Sequence, residues 1–554
     1  MKVPKTIATL ATVFLLARWL GAQGLLSGPA VTASESEIMA AAKMPTGAPH
    51  FNGAKLIGIH PGTPLVFSLP VSGQSPITFS ALHLPDGLQL DPATGIITGV
   101  LTKPGEYRVT VTAENAFGKA KIKFKIVAGS QLALTPPLGW NSYDAYGDSV
   151  TEDETFANAA WMKQYLQPFG WDTIVVDFRW YDPKPTGNDF LLNSTRTGAA
   201  LTADSLGRLL PAPNRFPSSV GGLGFKPLAD RLHAMGLKLG IHVMRGIPRE
   251  TVLANLRIGD GTFSATDAAD TNYRCPWCPD MFGVRNNAAG QAWYDSCARL
   301  WASWGVDYIK VDDLSEPYHA NEISMIHRAI SDLDHSIVFS TSPGPTAVGH
   351  AANIATNANL WRISGDFWDR WPKLNNQFDL LAQWQGVAGP DHWPDADMIP
   401  LGKLAIRSKI DGDPHWSHFT RQEQLTLISM WALAPSPMML GMNLPDNDDW
   451  TTALLTNPEV LALDQDSLGQ PARRFSRGDT ESAEVWVRDL ANGAHAVGLF
   501  NRSDDPITAN CDWQKMGLPE NPQLRDLWRR QNLPRQQAFS LQIPPHGCCL
   551  LRLD

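Results

Sequence analysis

The chain has 554 residues, a length that corresponds to about three domains of ordinary size. Apolar residues make up 43% and charged residues 18%, and this balance excludes a largely disordered chain. There are 46 basic and 55 acidic residues, which gives a net charge of −9. Because no block of Lys or Arg is present, nucleic acid is not expected as a partner.

The N-terminus has the pattern of an export signal. Two lysines precede an apolar run over residues 7–17, and Gly21 and Ala22 offer small residues for cleavage. We predict a signal peptide over residues 1–22, a linker over residues 23–49, and a secreted or periplasmic location. The apolar run is short for a membrane span, and no later segment reaches about 18 apolar residues, so no membrane-spanning segment is expected.

Residues 50–128 are predicted to form an all-β domain. Short runs rich in β-branched residues, at 77–79, 95–99 and 107–112, alternate with Gly and Pro turns. The segment 84–99 resembles the immunoglobulin-like domains that stand beside secreted enzymes. That resemblance implies a β-sandwich and says nothing about function.

Residues 132–466 change to a pattern of strands alternating with helices. Helices are predicted over residues 288–304 and 421–434. The predicted buried strands are 173–177, 238–243, 306–312, 337–340, 360–364 and 437–441. Repeated strand–helix units predict either a parallel barrel or a doubly wound sheet.

Residues 470–554 return to a β pattern. Predicted strands at 485–487 and 496–500 flank Asn492-Gly493, a strong hairpin turn signal. Further strands are predicted at 539–543 and 548–553, and together they indicate a C-terminal antiparallel β-sandwich.

Six cysteines are present, and two of them form a C-x-x-C pair at Cys275 and Cys278. Such a pair is compatible with zinc or redox chemistry, but no histidine pair with ligand spacing stands beside it. In an exported protein a local disulfide is the preferred interpretation. We expect neither a metal ion nor a cofactor.

Carboxylates follow several of the predicted barrel strands, where this architecture places catalytic groups. Asp177 and Asp312 end two strands, and Asp366 lies four residues after Arg362. Lys310 is on the same strand face as Asp312, because side chains alternate with a period of two. Paired carboxylates among aromatic residues are typical of glycoside hydrolases, which use one carboxylate as nucleophile or base and the other as acid.

Five motifs in order resemble glycoside hydrolase family 27, the family of α-galactosidases and α-N-acetylgalactosaminidases. They are T-P-P-L-G-W-N-S at 135–142, K-V-D at 310–312, W-R-I-S-G-D at 361–366, W-P-D-A-D-M at 393–398 and W-A-L-A-P-S-P-M-M at 431–439. The resemblance covers residues 132–554. It implies a (β/α)8 TIM barrel and a retaining mechanism, with a carbohydrate as the binding partner.

The same resemblance assigns roles to individual residues. It makes Asp312 the nucleophile and Asp366 the general acid/base. The remaining residues of the predicted substrate site are Lys310, Arg362, Asp177, Trp140, Tyr143, Trp393 and Asp397. The positively charged transition state of such a reaction is stabilised by surrounding carboxylates.

The sequence departs from the family pattern around the predicted pocket. Where the family has a second aspartate that holds galactose hydroxyls, this chain has Phe178. The cysteine after the nucleophile is replaced by Leu314, and the loops 340–345 and 244–249 are atypical. Arg179 and Arg245 near the mouth are interpreted either as partners of nearby acids, which we favour, or as contacts to an acidic sugar.

The leading prediction is an exported α-galactosidase. The same mechanism is compatible with a β-L-arabinopyranoside, an α-N-acetylgalactosaminide or an isomalto-oligosaccharide. Two further hypotheses are a non-catalytic carbohydrate-binding protein and a metal-dependent hydrolase using Asp312, Asp313 and His242. The lysine beside Asp312 disfavours a cation there.

Overall fold

The computed structural model describes residues 30–42, 46–185, 201–408, 412–478 and 482–554. The predicted signal peptide at 1–22 lies outside the described residues. Three parts follow one another along the chain: an immunoglobulin-like domain, a parallel barrel and a C-terminal antiparallel β domain.

The barrel is built on one eight-stranded sheet whose neighbouring strands are all parallel. Its strands are β1 (Leu138–Asn141), β2 (Thr173–Val176), β3 (Lys238–Met244), β4 (Tyr308–Asp312), β5 (Val338–Thr341), β6 (Leu360–Arg362), β7 (Trp393–Asp395) and β8 (Met438–Leu440). The hydrogen-bonded order is β7-β6-β5-β4-β3-β2-β1-β8.

The ring closes just beyond β7. Ile399 forms a parallel bridge with Leu440 of β8, and its amide donates to the carbonyl of Met439 over 2.7 Å. A closed parallel ring explains why the strands are apolar throughout: every residue of β1, β2, β6, β7 and β8 is buried. Of the two architectures left open by the sequence, the barrel is correct.

A helix follows each strand and covers the outside of the ring. In chain order these helices are Glu152–Tyr165, Lys226–Ala234, Ala288–Ser303, Ala320–Ser331, Ala351–Asn357, Trp371–Trp384 and Arg421–Leu433, with Asp449–Leu455 and Pro458–Asp464 after β8. The two helices predicted from the sequence begin where expected and end one residue early. The strands β1 and β7 were not predicted as strands, because Gly139 and Pro394 interrupt their apolar residues and neither strand contains a β-branched residue.

The immunoglobulin-like domain has a four-stranded sheet in the order Leu56–Ile59, Gly118–Ala128, Gly105–Asn115, Thr78–Leu82. A three-stranded sheet of Pro64–Ser68, Ile96–Val100 and Leu88–Leu90 packs against it. The domain lies on the barrel at the strands' amino ends, where Thr63 hydrogen-bonds Ser336 over 2.7 Å. It therefore sits at the end of the barrel opposite to the carboxyl ends of the strands.

The C-terminal domain has a six-stranded sheet in the order Arg473–Ser476, Glu484–Asp489, His495–Phe500, Cys548–Leu553, Leu524–Asp526, Gln531–Leu533. Its second sheet pairs Ala538–Ile543 with Ile507–Asp512. The predicted turn is present: Gly493 has φ of 83° between two paired strands, a conformation that glycine adopts without steric cost.

The predicted linker at 23–49 is wrong for its described part. Strand Ala30–Val31 adds to the C-terminal domain by pairing with Ala538–Ile543, and helix Glu35–Ala41 follows. Ser34 and Glu37 cap that helix reciprocally, and Glu37 pairs with Arg529 over 3.1 Å. The polar composition that suggested a linker belongs to an amphipathic helix with one buried residue, Ile38.

The predicted disulfide is absent. All six cysteines fall within the described ranges, and each is a buried free thiol. Among the residues that the structure describes, no helix is both long enough and apolar enough to cross a membrane.

Candidate active site

Polar side chains from five strands or strand ends meet in one cavity at the carboxyl end of the barrel. The cavity has a volume of about 340 Å³ and is open to solvent. Its lining includes seven of the nine residues predicted for the site: Tyr143, Asp177, Lys310, Asp312, Arg362, Asp366 and Asp397. The parallel ring explains this convergence, because all carboxyl ends of its strands open at one face.

One side of the cavity is carried by β2, β3 and β4, and we call it the strand wall (Asp177, His242, Lys310 and Asp312). These side chains are between 0 and 14% exposed. Asp312 ends β4, and its Oδ2 lies 2.9 Å from Nε2 of His242 on the neighbouring strand. Oδ1 of Asp312 has no hydrogen-bond partner among the described residues.

The charges of the strand wall keep Asp312 ionised. Burial raises the pKa of this carboxyl, but the contact with His242, including its hydrogen bond, and the charge of Lys310 outweigh burial, so the pKa of Asp312 lies well below its usual range. A carboxylate with one oxygen held and the other unoccupied has the arrangement that a nucleophile requires.

Lys310 links the two acids of the strand wall. Its ammonium donates to Oδ2 of Asp177 over 3.0 Å and lies over the ring of Tyr143 at 5.8 Å. Asn141 donates to the same Asp177 oxygen over 2.6 Å. Burial opposes the charge on Lys310, yet Asp177 and Asp312 raise its pKa above the usual value, so it stays protonated. Two buried carboxylates are thus neutralised by one cation.

The other side of the cavity follows β6, and we call it the loop wall (Asp366, Phe367 and Trp368). The side chain of Asp366 is 61% exposed, in contrast to the strand wall. It is held by Arg362, whose guanidinium is 3.3 Å from Asp366 and 2.8 Å from Asp397. One buried arginine therefore positions an exposed acid against a buried one.

Asp397 is both an anchor and a titrating group. Its Oδ2 accepts the backbone N–H of Phe367 over 2.7 Å, which fixes the start of the loop wall. Burial and the neighbouring charges of Asp366 and Asp395 raise the pKa of Asp397 to about 6, against the opposing effect of Arg362. The strand end β7 thus controls where the loop wall lies.

An apolar surface adjoins Asp177. Phe178, the residue directly after it, meets His242 edge-on with ring centroids 5.2 Å apart. Trp277 packs on Phe178 at 5.9 Å and also lines the cavity. At the position where the sequence departs from the family pattern, the Phe178 side chain offers a ligand no hydrogen bond, whereas an aspartate would accept one.

Three lining residues were missed by sequence reasoning. Asp144 is buried, and burial together with the charge of Asp397 raises its pKa well above the usual value. Trp277 lies inside the C-x-x-C loop, and Trp368 lies two residues after Asp366. Only Trp368 carried a local signal, its closeness to a predicted catalytic residue.

Two predicted substrate contacts are wrong. Trp140 and Trp393 are both fully buried outside the cavity. The indole of Trp140 donates to the carbonyl of Met442 over 2.7 Å, and that of Trp393 donates to Ala133 over 2.7 Å. Successive side chains of a strand point in opposite directions, and this explains the error: both tryptophans pack into the protein core instead of facing the cavity.

The two arginines near the mouth are occupied by acids, as favoured. Arg179 lies 3.0 Å from Asp182, and Arg245 lies 2.8 Å from Asp313 and also pairs with Glu322. Both arginines are almost fully buried. Neither arginine is available to an acidic sugar. Because Asp313 is paired with Arg245, it is also not available to bind a metal ion together with Asp312 and His242.

Three regions of the chain match known protein families. Residues 285–466 match the family model "Alpha galactosidase A", and residues 480–553 match "Alpha galactosidase C-terminal beta sandwich domain". Residues 48–129 match the model "Putative Ig domain".

Among relatives, an α-galactosidase of Coffea arabica is 30% identical over 72% of this chain and 87% of its own length. Alpha-galactosidase A of Cellvibrio japonicus is 27% identical over 76% of this chain and 93% of its own. A solved structure of a GH27 β-L-arabinopyranosidase from Geobacillus stearothermophilus is 44% identical, with a TM-score of 0.73, over 76% of this chain and 97% of its own.

Proposed function

Because the chain belongs to glycoside hydrolase family 27, we propose that it is a retaining exo-glycosidase of sugars with the galactose ring configuration, preferring β-L-arabinopyranosides to α-D-galactosides. One observation carries the reaction: a buried, charge-stabilised carboxylate and an exposed carboxylate line the same cavity. A family of glycoside hydrolases gives the barrel an enzymatic role, which sets aside the hypothesis of a protein that only binds carbohydrate.

In the first step, Oδ1 of Asp312 attacks the anomeric carbon, and the bond to the leaving oxygen breaks. Asp366 gives its proton to that oxygen, so the aglycone leaves as an alcohol and a glycosyl–Asp312 ester remains. His242 holds the other oxygen of Asp312 and so fixes the direction of attack. The exposure of Asp366 suits a group that must exchange protons with solvent.

In the second step, Asp366 acts as a base and removes a proton from water. The water oxygen attacks the anomeric carbon, the ester to Asp312 breaks, and the configuration of the starting glycoside is restored. The developing positive charge on the sugar ring is stabilised by Asp312 and Asp177. Lys310 and Arg362 remain protonated throughout and donate hydrogen bonds to the hydroxyls of the sugar.

The apolar surface beside Asp177 decides between sugars. β-L-Arabinopyranose has the ring configuration of α-D-galactopyranose but lacks its hydroxymethyl group. A hydroxyl that is buried against the ring of Phe178 finds no acceptor there, and a buried hydroxyl without a hydrogen-bond partner costs about 1–3 kcal/mol. The 44% identity to a β-L-arabinopyranosidase supports the same preference. α-D-Galactosides are the second candidate, because the related α-galactosidases span most of the catalytic region.

The test compares kcat/KM for 4-nitrophenyl β-L-arabinopyranoside and α-D-galactopyranoside. We expect the wild type to prefer the arabinoside by about 10-fold or more. Phe178→Asp should lower or invert this ratio by offering an acceptor, while Phe178→Leu, the matched control, should keep it. A wild type that prefers the galactoside would disprove the sugar assignment and leave the reaction intact. The α-N-acetylgalactosaminide and an isomalto-oligosaccharide complete the panel.

We also propose that the protein is exported through its N-terminal basic and apolar segment at 1–22. N-terminal sequencing of protein made in a bacterial host with a periplasm should find a start after residue 22. A mature chain that retains Met1 in the cytoplasmic fraction would contradict export.

A further inference from the structure

A second cluster of chemical groups lies directly behind the loop wall. Asp369 follows Trp368, His415 is in the short strand His415–Trp416, and His418 lies shortly before helix Arg421–Leu433. One oxygen or nitrogen of each side chain lies within 4.8 Å of the others. In the part of the chain that the structure describes, these are the only three His, Cys, Asp or Glu side chains that lie close enough together to hold a metal ion.

The distances fit a small tetrahedral ion. Oδ2 of Asp369 lies 3.3 Å from Nε2 of His415 and 3.0 Å from Nδ1 of His418. A tetrahedral Zn²⁺ with ligands at about 2.0–2.1 Å separates them by roughly 3.3 Å. The Asp369 side chain is fully buried, whereas His418 is 61% exposed, which leaves a side open for a water ligand.

Hydrogen bonding fixes the tautomer of His415. Its Nδ1 lies 2.8 Å from the backbone carbonyl of Asp413, and a carbonyl oxygen only accepts, so Nδ1 carries the hydrogen. A neutral ring then turns the lone pair of Nε2 toward the carboxylate of Asp369. Either a proton on Nε2 or a metal ion between the two atoms makes this contact favourable. The same oxygen of Asp369 also accepts the backbone N–H of His418 over 2.6 Å, which holds the carboxylate in place. A carbonyl on the outer nitrogen is also the usual way in which a zinc-binding histidine is oriented.

The two histidine rings lie side by side. The rings of His415 and His418 are stacked, with centroids 4.2 Å apart and planes inclined by 16°. This arrangement brings Nε2 of His415 and Nδ1 of His418 to the same carboxylate oxygen of Asp369, so one divalent ion can bind all three side chains. Oδ1 of Asp369 is buried and accepts no hydrogen bond from the described residues.

We infer that Asp369, His415 and His418 bind one Zn²⁺ ion, which ties the loop wall to the hairpin of Lys403–Leu404 and His415–Trp416. The strands of this hairpin pair with each other, and Ala405 just beyond donates its amide to Asp144. Asp369 is three residues from Asp366, so the ion restrains the segment that carries the exposed acid. Imidazole ligands select zinc over Mg²⁺ or Ca²⁺.

The binding test uses tag-free, full-length protein stripped of metal by a chelator. Titration with Zn²⁺ against a chromophoric zinc indicator should show one equivalent bound with micromolar or tighter affinity, and zinc should raise Tm by about 2 °C or more. Mg²⁺ and Ca²⁺ should do neither. His415→Gln and His418→Gln should each weaken zinc binding by about 10-fold or more.

The matched control is His233→Gln. Nε2 of His233 also lies 2.8 Å from an aspartate oxygen, that of Asp307, but this pair does not belong to the three-residue cluster. This variant should bind zinc like the wild type. No zinc binding by the wild type, or zinc binding as tight as the wild type's in both His415→Gln and His418→Gln, would overturn the site and leave an ion pair.

The effect on Asp366 rests on the proposed function, whereas zinc binding does not. If zinc positions the acid, stripping it should lower kcat/KM more for a methyl glycoside than for a 4-nitrophenyl glycoside, because the poorer leaving group depends more on protonation. An equal loss on both would reject the positioning role. A protein without glycosidase activity that still binds zinc would refute only the proposed reaction.

Discussion

The strand wall and the loop wall face the same cavity but are built in different ways. The strand wall places its charges on adjacent barrel strands, nearly out of reach of solvent, and each acid contacts a basic group. The loop wall places Asp366 in the connection after β6, where its carboxylate is mostly exposed and held through Arg362. A nucleophile benefits from a fixed charge, whereas an acid/base must gain and lose protons. The difference in burial separates the two roles.

The largest expected effect removes the nucleophile. Asp312→Ala should lower kcat by about 10⁴–10⁶-fold, because both oxygens of Asp177, the other carboxylate of the strand wall, are already held by hydrogen bonds. Sodium azide should restore turnover by taking the place of the carboxylate, and the glycosyl azide formed should have the inverted configuration, as seen by NMR. An azide product of retained configuration would place the nucleophile elsewhere.

Removal of the acid/base should have a smaller effect. Asp366→Ala should lower kcat by about 10²–10⁴-fold, and less for a 4-nitrophenyl substrate whose leaving group needs little protonation. Azide should now attack the glycosyl–Asp312 ester and give a product of retained configuration. The two variants are matched controls for each other. Azide products of the same configuration from both would contradict the assignment of different roles to Asp312 and Asp366.

The charge balance of the strand wall is tested by Lys310→Met. Without this cation the pKa of Asp312 rises, so less of the nucleophile is ionised at acid pH and the acid limb of kcat/KM moves to higher pH. At neutral pH we expect a loss of about 10²-fold. Lys238→Met is the control, because Lys238 pairs with Asp172 over 2.7 Å at the amino end of β3. An unchanged acid limb in Lys310→Met would show that His242 alone sets the charge.

The smallest effect on activity is expected outside both walls. Trp393→Phe and Trp140→Phe each remove an indole hydrogen bond in the core, so Tm should fall, with a stability loss of about 1–3 kcal/mol. Because neither side chain reaches the cavity, kcat/KM of the folded variants should stay within about twofold of the wild type. A rise in KM without a change in Tm would show that these residues contact the substrate after all.

Sequence patterns were sufficient for much of the fold. Buried apolar runs such as Thr173–Val176 and Lys238–Met244 carry their own strand signal, and Asn492-Gly493 specifies its turn through backbone preference. They failed for β1 and β7, whose apolar residues are interrupted by Gly139 and Pro394, and for the helix Glu35–Ala41, whose stability depends on docking against Arg529. Packing partners that are distant in the chain leave no local trace in the sequence.

The sequence by itself determined which residues we propose for the chemistry, because a K-x-D strand end and an aspartate four residues after an arginine are local patterns. Only the tertiary structure decided which aromatic residues reach the cavity, which acids hold Arg179 and Arg245, and that Asp369 meets two histidines more than forty positions away. The physical reason is closure of the barrel. It brings the ends of eight strands to one face, so contacts at the site depend on ring geometry and not on chain neighbours.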